Sequence, residues 1–503
     1  MKYGPPTVIS AHAIFPSMEQ RAAPSLCPGE GERMTPEDAL EVGMCLGRKY
    51  RRVAVARDYS SSSAMIVRAL TSGLISTGAH AIDAGVVPAP AACVAFALEA
   101  DCIASVGSPE SWGDVSGIIL HNPDGSQFSS EQITDLLAPP EDPAEDAPSG
   151  IGRATADFGT SRRYVSATLR NGMKSGGYVI MDCGCGSSAA CAPWALTAAG
   201  ADVVSLNAHS GSECAPRSPG IDKTELASLS DFVNASIGSV GIAYNGDCTR
   251  FALLDENGKF VQGDMLLALM IMYLEPRIAV VPFDAPAVVE NAFGQGFGLR
   301  EDEKDEGEPK RRLVRTRGDI ESVTDAIRKN GADFGGLLNG TFIFPKNSLC
   351  PDAIYGSAVI TELAGIRSIR NMMASLPTYS TATRRVRHDG TMERFGKNFL
   401  RRITEYDVSE VVVGDGWKVI MKNGQYIVNV DPDDPRYMRI AAESQDRVYL
   451  VTMLEQASEI VEASARLRFA PPPSSRPHTA CRGVSSRRGN CRPPSFSCRM
   501  ADK

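Results

Sequence analysis

No apolar run in the 503-residue sequence is long enough to cross a membrane; the longest, MLLALMIMYL at 265–274, reaches about half of the ~20 residues that a span requires. The N-terminus lacks a basic segment followed by an apolar core and carries Glu19 and repeated proline instead. No secretion signal is expected, and a cytoplasmic location follows. Excess positive charge is also missing. With a net charge of −8, 22% charged and 43% hydrophobic residues, the main body has neither the composition of a nucleic-acid binder nor that of a disordered chain. The thirteen cysteines lack a pattern: they are odd in number and scattered, so free thiols are expected rather than a disulfide framework. The densest group, Cys183, Cys185 and Cys191 in MDCGCGSSAAC, has no histidine nearby. It reads as a Gly-rich strand-to-helix turn with small buried residues, in preference to a metal cluster.

What is present is repetition. Single cores stop growing near 250–300 residues, so a chain of this length is expected to divide into domains. VAVARDYSSSSAMIVRALTSGLISTGAHAIDAGVVPAP (53–90) predicts a strand, a Ser-rich turn, an amphipathic helix, a second strand and a Pro-marked turn. The same β–α–β plan recurs at 177–208 and, more weakly, from RIAVVPFDAPAVVENAF at 277–293. The last part changes character: VVVGDGWKVIMKNGQYIVNV (411–430) predicts strands joined by Asp-Gly and Asn-Gly turns, followed by a helix-patterned VTMLEQASEIVEASARL. REDEKDEGEPKRR (300–312) is a charge run suited to a solvated insertion. Residues 470–503 form a Pro/Ser/Arg tail that cannot bury a core, and its basic charge leaves the remainder near −14.

RDYSSS with DAGVVPAP, HNPDGSQF, GIAYNGDCTRFALLDENGKFVQGD, GADFGG and NGTFIFPKNSLCPDAIY occur in one order and spacing between about 34 and 466. In these segments the chain resembles the α-D-phosphohexomutases, the phosphomannomutase/phosphoglucomutase and phosphoglucosamine mutase family. The resemblance implies three related α/β/α domains and a C-terminal α+β domain with an antiparallel sheet, arranged around a central cleft. The boundaries expected are a divergent N-terminal segment at 1–33, domains at 34–150, 151–264, 265–375 and 376–467, and the tail at 468–503. It also implies phosphoryl transfer between O1 and O6 of a hexose through a phosphoserine, with Mg²⁺ and a bisphosphorylated intermediate.

Phosphoryl transfer is mostly positioning plus neutralisation of phosphate charge, which makes four demands that this sequence meets unevenly. Pro109 falls on the position of the family's serine, leaving Ser108 as the candidate nucleophile; the family's following histidine has no counterpart, and His121 in HNPDG reads as a surface residue. The family's metal loop D-G-D-x-D-R appears as NGDCTR, so Asp247 is the single carboxylate kept between Asn245 and Thr249, with Arg250 behind it. A lone carboxylate makes a poor Mg²⁺ site, and a tight turn with Gly246 in an unusual backbone conformation is preferred. In the sugar-binding segment Leu337 replaces a glutamate, while Asn339, Gly340 and Thr341 remain as candidates, and Pro351 precedes the matched Asp352. In the phosphate grip of the last domain, Asn429 replaces an arginine, and Asp431, Asp433 and Asp434 bring negative charge. At the N-terminus, FPSMEQRA keeps only Phe15 and Arg21 of the family's opening motif.

Turn- and core-forming residues are thus retained where charge-handling residues are replaced. The expectation is a phosphohexomutase homologue with mutase activity lost or strongly reduced, acting as a binding or partner subunit. The alternative is a divergent active mutase that uses Ser108, Asp247, Arg21 and Arg250 on a hexose phosphate. Nucleic-acid or partner binding through the Arg-rich tail is a third, weaker reading, and an isologous homodimer is the default oligomer.

Overall fold

The computed structural model describes residues 34–107, 117–138, 150–209, 217–295, 311–388, 392–431 and 434–465. The chain falls into two compact bodies, one ending at Leu376 and one beginning at Pro377.

The first body is built from one topology used three times. Its first sheet comprises β1 (Arg52–Arg57), β2 (His80–Val86), β3 (Cys102–Gly107), β4 (Gly117–His121) and β5 (Arg153–Ala156), in the order β4-β3-β1-β2-β5. Helices α1 (Pro36–Lys49), α2 (Ser61–Ser76), α3 (Ala89–Phe96) and α4 (Ser130–Leu137) accompany it. Helix α1 starts where the sequence provides a capping box, Thr35 with Asp38, and Pro36 in the first turn. The second unit has α5 (Thr160–Arg170), β6 (Tyr178–Asp182), α6 (Ala192–Ala199), β7 (Asp202–Leu206), α7 (Ala227–Ala235), β8 (Ser239–Tyr244) and β9 (Phe251–Leu254), with strand order β7-β6-β8-β9. The third has α8 (Gly263–Leu274), β10 (Ile278–Pro282), α9 (Ala287–Gln295), β11 (Arg312–Thr316), α10 (Ile320–Asn330), β12 (Phe334–Gly336), β13 (Phe342–Ile343), α11 (Ala353–Ile366) and α12 (Ile369–Ser375), with order β11-β10-β12-β13.

In every unit the first strand is central, its two parallel partners flank it, and the fourth strand returns antiparallel at the edge. Strands β8 and β10 are buried at every position, which explains why they read as unbroken apolar runs rather than alternating ones. The apolar run at 265–274 lies within α8, most of whose residues are buried in this body. Among the described residues no helix is long and apolar enough to cross a membrane.

The second body is an antiparallel sheet of β14 (Ser380–Arg387), β15 (Glu410–Val413), β16 (Gly416–Met421), β17 (Gly424–Val430) and β18 (Tyr437–Ser444), ordered β14-β18-β17-β16-β15. Helices α13 (Met392–Ile403) and α14 (Arg447–Ala465) pack into the same core. Phe395, Phe399 and Ile403 recur at helical spacing on α13 and are buried; both phenylalanine rings tilt against Trp417 of β16 at 5.3 and 5.5 Å.

Candidate active site

In open α/β sheets ligands bind beyond the carboxyl ends of the strands. Here the carboxyl ends of β1 and β3 and the turns after β6 and β8 border a cavity of about 30 Å³, lined by Arg57, Asp58, Ser105, Gly107, Ser187 and Asp247 among others. Asp58 is fixed by the Ser60 N–H and hydroxyl, which donate to its Oδ1 at 3.0 and 2.8 Å. Ser105 contributes a buried hydroxyl that makes no hydrogen bond among the described residues.

Residues 245–249 form a closed network of side chains. Asp247 Oδ1 accepts Asn245 Nδ2 at 2.6 Å, Thr249 Oγ1 at 2.7 Å and the Thr249 N–H at 3.1 Å. Asn245 Oδ1 accepts the Arg250 N–H at 3.1 Å. Asn245 and Thr249 are 3% and 9% exposed, so these bonds are made largely out of water. The left-handed residue of the turn is Cys248, with φ 62, and not Gly246 as expected. The cause is the Asp247 carboxylate, which reaches forward to the Thr249 N–H and bends the backbone between them; the Cys248 carbonyl is then secured by the Ala353 N–H at 3.2 Å.

This donor set does not fit the divalent cation that the family resemblance implies. Mg²⁺ needs several oxygens directed at one point in near-octahedral geometry. Asp247 is the only anion of the turn and its Oδ1 already accepts three donors, so only its Oδ2 is without a hydrogen bond among the described residues; the Asn245 carbonyl oxygen is occupied by backbone, and the Thr249 hydroxyl donates to Asp247.

The sugar-segment candidates lie directly against this turn. Arg250 pairs with Thr341 as an antiparallel bridge, and the Phe251 N–H donates to the Gly340 carbonyl at 3.2 Å. Gly340 has φ 88, and a Cβ there would stand 2.0 Å from the Phe251 carbonyl oxygen, so only glycine permits the contact. Asn339 is exposed and its Oδ1 accepts the Thr341 N–H at 3.2 Å, whereas Thr341 is buried. Leu337, where the family has a glutamate, is 7% exposed and belongs to the third unit's core with Ile278, Val280 and Ile327. Arg250, Asp247, Gly340 and Thr341 are therefore brought together. Ser108 and Arg21 lie outside the described residues.

Two further residues support the site: Arg217, which no motif in the sequence marked, and Asp352, which the sequence matched to the family without a role. Arg217, 6% exposed, donates to Asp182 Oδ2 at 2.8 Å and to the Tyr244 carbonyl at 2.6 Å, tying together the ends of β6 and β8. Two residues on, the Pro219 carbonyl accepts the Gly246 N–H at 2.9 Å, so the Arg217 segment also braces the 245–249 turn. The second support is Asp352, which caps α11 and receives the Tyr164 hydroxyl at 2.9 Å on both oxygens. Burial raises its pKa to about 6, despite the opposing Tyr355 N–H and Tyr164 hydroxyl. Cys183, Cys185 and Cys191 are buried at 1%, 2% and 0% exposure, and burial pushes the Cys183 thiol up to about 12. His121, read as a surface residue, is 0% exposed.

In the second body, Asp431 is buried and pairs with Arg385 at 2.5 Å, while Asp434 takes a two-pronged contact from Arg436 at 2.9 and 2.7 Å. Arg436 holds the Asp434 carboxyl down at about 2. The acidic charge at 431 and 434 is thus neutralised within this body: by Arg436, two residues after Asp434, and by Arg385 of β14. Asp433 lies outside the described residues.

Residues 28–140 match the family model "Phosphoglucomutase/phosphomannomutase, alpha/beta/alpha domain I". A probable phosphoglucosamine mutase of Methanococcoides burtonii is 32% identical over 82% of this chain and 93% of its own length. Its counterpart from Methanocella arvoryzae is 30% identical over 86% and 95%. Among solved structures, a phosphoglucomutase/phosphomannomutase family protein of Burkholderia thailandensis shares the fold with a TM-score of 0.71 at 18% identity, over 89% of this chain and 98% of that one. On these similarities, the chain belongs to the α-D-phosphohexomutase family.

Proposed function

We propose that this protein is a phosphoglucosamine mutase-like member of the family in which mutase turnover is lost or severely reduced. The observation that carries this reading is the Asp247 carboxylate, whose Oδ1 is satisfied by Asn245 and Thr249 rather than left for a cation. Phosphoryl transfer needs positive charge placed where the transferring group develops negative charge, and a self-satisfied turn with one carboxylate recruits none. The Leu337 side chain adds to the case because, in the core, it offers a sugar no hydrogen bond. What such a protein keeps is a cleft that binds a hexose phosphate or serves a partner. The names of its relatives make glucosamine phosphate the first compound to test.

A second reading, an active divergent mutase, is favoured by one feature: Asp247 lines the cavity at the end of β3, the strand from which the chain proceeds to Ser108. A coupled assay with glucosamine, glucose and mannose phosphates and a hexose bisphosphate primer separates the two. The leading reading expects no turnover and no phosphorylated serine by mass spectrometry. Turnover that disappears in Ser108→Ala refutes it.

A further inference from the structure

Away from the 245–249 turn, three side chains with soft-metal chemistry meet in the interior of the first body. Cys93 lies on α3, His121 ends β4, and Cys350 precedes the Asp352 cap of α11. Their ligand atoms all lie within 4.8 Å of one another, and each residue is 0% exposed. Two sulfurs and a nitrogen around a tetrahedral Zn²⁺ stand roughly 3.5–3.8 Å apart, by simple geometry from bond lengths near 2.3 and 2.0 Å. The observed atoms would have to close by no more than roughly 1 Å.

The histidine supplies a separate indication. Its Nδ1 lies 3.3 Å from the Gly125 carbonyl oxygen, which can only accept, so the ring proton belongs on Nδ1. Nε2 is then the lone-pair nitrogen; it is buried, has no hydrogen bond of good geometry among the described residues, and faces the Cys93 thiol. A backbone carbonyl that fixes the ring's tautomer while its other nitrogen points at a cluster of thiols is the arrangement that orients histidine in metal sites.

The partners are also held in place by contacts that do not involve the thiols. The Leu349 N–H donates to the Asp124 carbonyl at 2.8 Å, and Ser348 Oγ accepts the Cys350 N–H at 3.0 Å. Gly125 has φ 88, and a Cβ there would sit 1.8 Å from Ser348 Oγ, so the turn after His121 and the segment before Cys350 are in intimate contact. A cavity of about 410 Å³, lined by Cys93, Asp124, Ser348 and Leu349 among others, borders the cluster and leaves room for a water as fourth ligand.

We propose that Cys93, His121 and Cys350 bind one thiophilic d¹⁰ metal ion, Zn²⁺ in the first instance, joining the first and third α/β units. The S₂N donor set selects such an ion over Mg²⁺, which prefers oxygen. Binding deprotonates both thiols and releases their protons to solvent, with no change of oxidation state.

The test is a titration of the full-length, metal-stripped and reduced protein with Co²⁺ and then Zn²⁺, followed by absorption. One equivalent of Co²⁺ should give thiolate-to-cobalt charge-transfer and tetrahedral d–d bands that Zn²⁺ abolishes. Cys93→Ser and Cys350→Ser should each weaken binding by at least about 100-fold, since loss of a mere outer partner costs 10–100-fold. Cys183→Ser should leave it unchanged. Should the serine variants fail to fold, the wild-type chain answers alone. Zinc should protect the Cys93 and Cys350 peptides from alkylation in mild urea, as read by mass spectrometry, and leave Cys45 reactive. No charge-transfer band, a band retained in the folded Cys93→Ser and Cys350→Ser variants, or equal alkylation with and without zinc overturns the proposal.

Discussion

If Asn245 and Thr249 stabilise Asp247 in place of a metal, then returning both to aspartate should make folding depend on a divalent cation. Asn245 Nδ2 and Thr249 Oγ1 donate to Asp247 Oδ1 at 2.6 and 2.7 Å, and the double substitution Asn245→Asp, Thr249→Asp removes both donors. A hydrogen bond to a charged group contributes about 1.5–3 kcal/mol. In their place stand carboxylates, and two unit charges ~4 Å apart repel by about 4 kcal/mol at an effective dielectric near 20. Three mutually facing carboxylates form three such pairs, so the repulsion reaches about 12 kcal/mol before relaxation or proton uptake, comparable with a domain's whole stability of about 5–15 kcal/mol. The metal-free double variant should therefore melt far below wild type at pH 7.5. Mg²⁺ should recover part of the loss, about 2.7 kcal/mol once its concentration is a hundred times the dissociation constant. Acid should also restore it: the crowded carboxyls have raised folded-state pKa values, so stability is lost as pH rises through them. Scanning calorimetry with and without Mg²⁺, backed by titration calorimetry, reads all three effects. A metal-free double variant as stable as wild type, with no heat of Mg²⁺ binding, would refute the reasoning, because the three side chains would then not share one point in space.

Asp352 gives a second pH signature. Its folded pKa is raised to about 6 from 3.8, so the native state holds the proton more tightly and stability falls as pH rises from about 4 to 6. At ~1.4 kcal/mol per unit the loss is at most about 3 kcal/mol, and urea denaturation of Asp352→Asn should show that slope flattened. Arg217→Met leaves the buried Asp182 with the Gly184 N–H and Asn207 amide but without its cation and should cost about 3–5 kcal/mol; adding Asp182→Asn should recover much of it, and failure to recover would mean that packing dominates. Leu337→Ala should cost about 2–5 kcal/mol in the same assay, and Leu337→Glu more, without gain of sugar binding.

The repeated architecture was legible because its signals are local. A run such as VAVARDYSSSSAMIVRAL announces β1, the Ser60 cap and α2 within a few residues, and the turns at 414–415 and 422–423 announce the β15–β16–β17 meander. The same locality made the eroded loops visible, since the loss of a carboxylate at 245 or 249 is a fact about one position.

The neutralisation of Asp431 was not legible, because it is supplied from elsewhere in the chain. The sequence counted three aspartates at 431–434 as bare negative charge, yet Asp431 is met by Arg385 from the far edge strand of the same sheet. His121 failed for the same reason. HNPDG is polar and turn-like, and by itself predicts a surface; β4 is nevertheless covered, because the segment up to Cys350 closes over the turn that follows it. An inference from missing charges is consequently strongest where the partners are local. The 245–249 turn satisfies that condition: each donor to Asp247 Oδ1 comes from within the turn itself, so the neutral network around its one carboxylate depends on no distant contact.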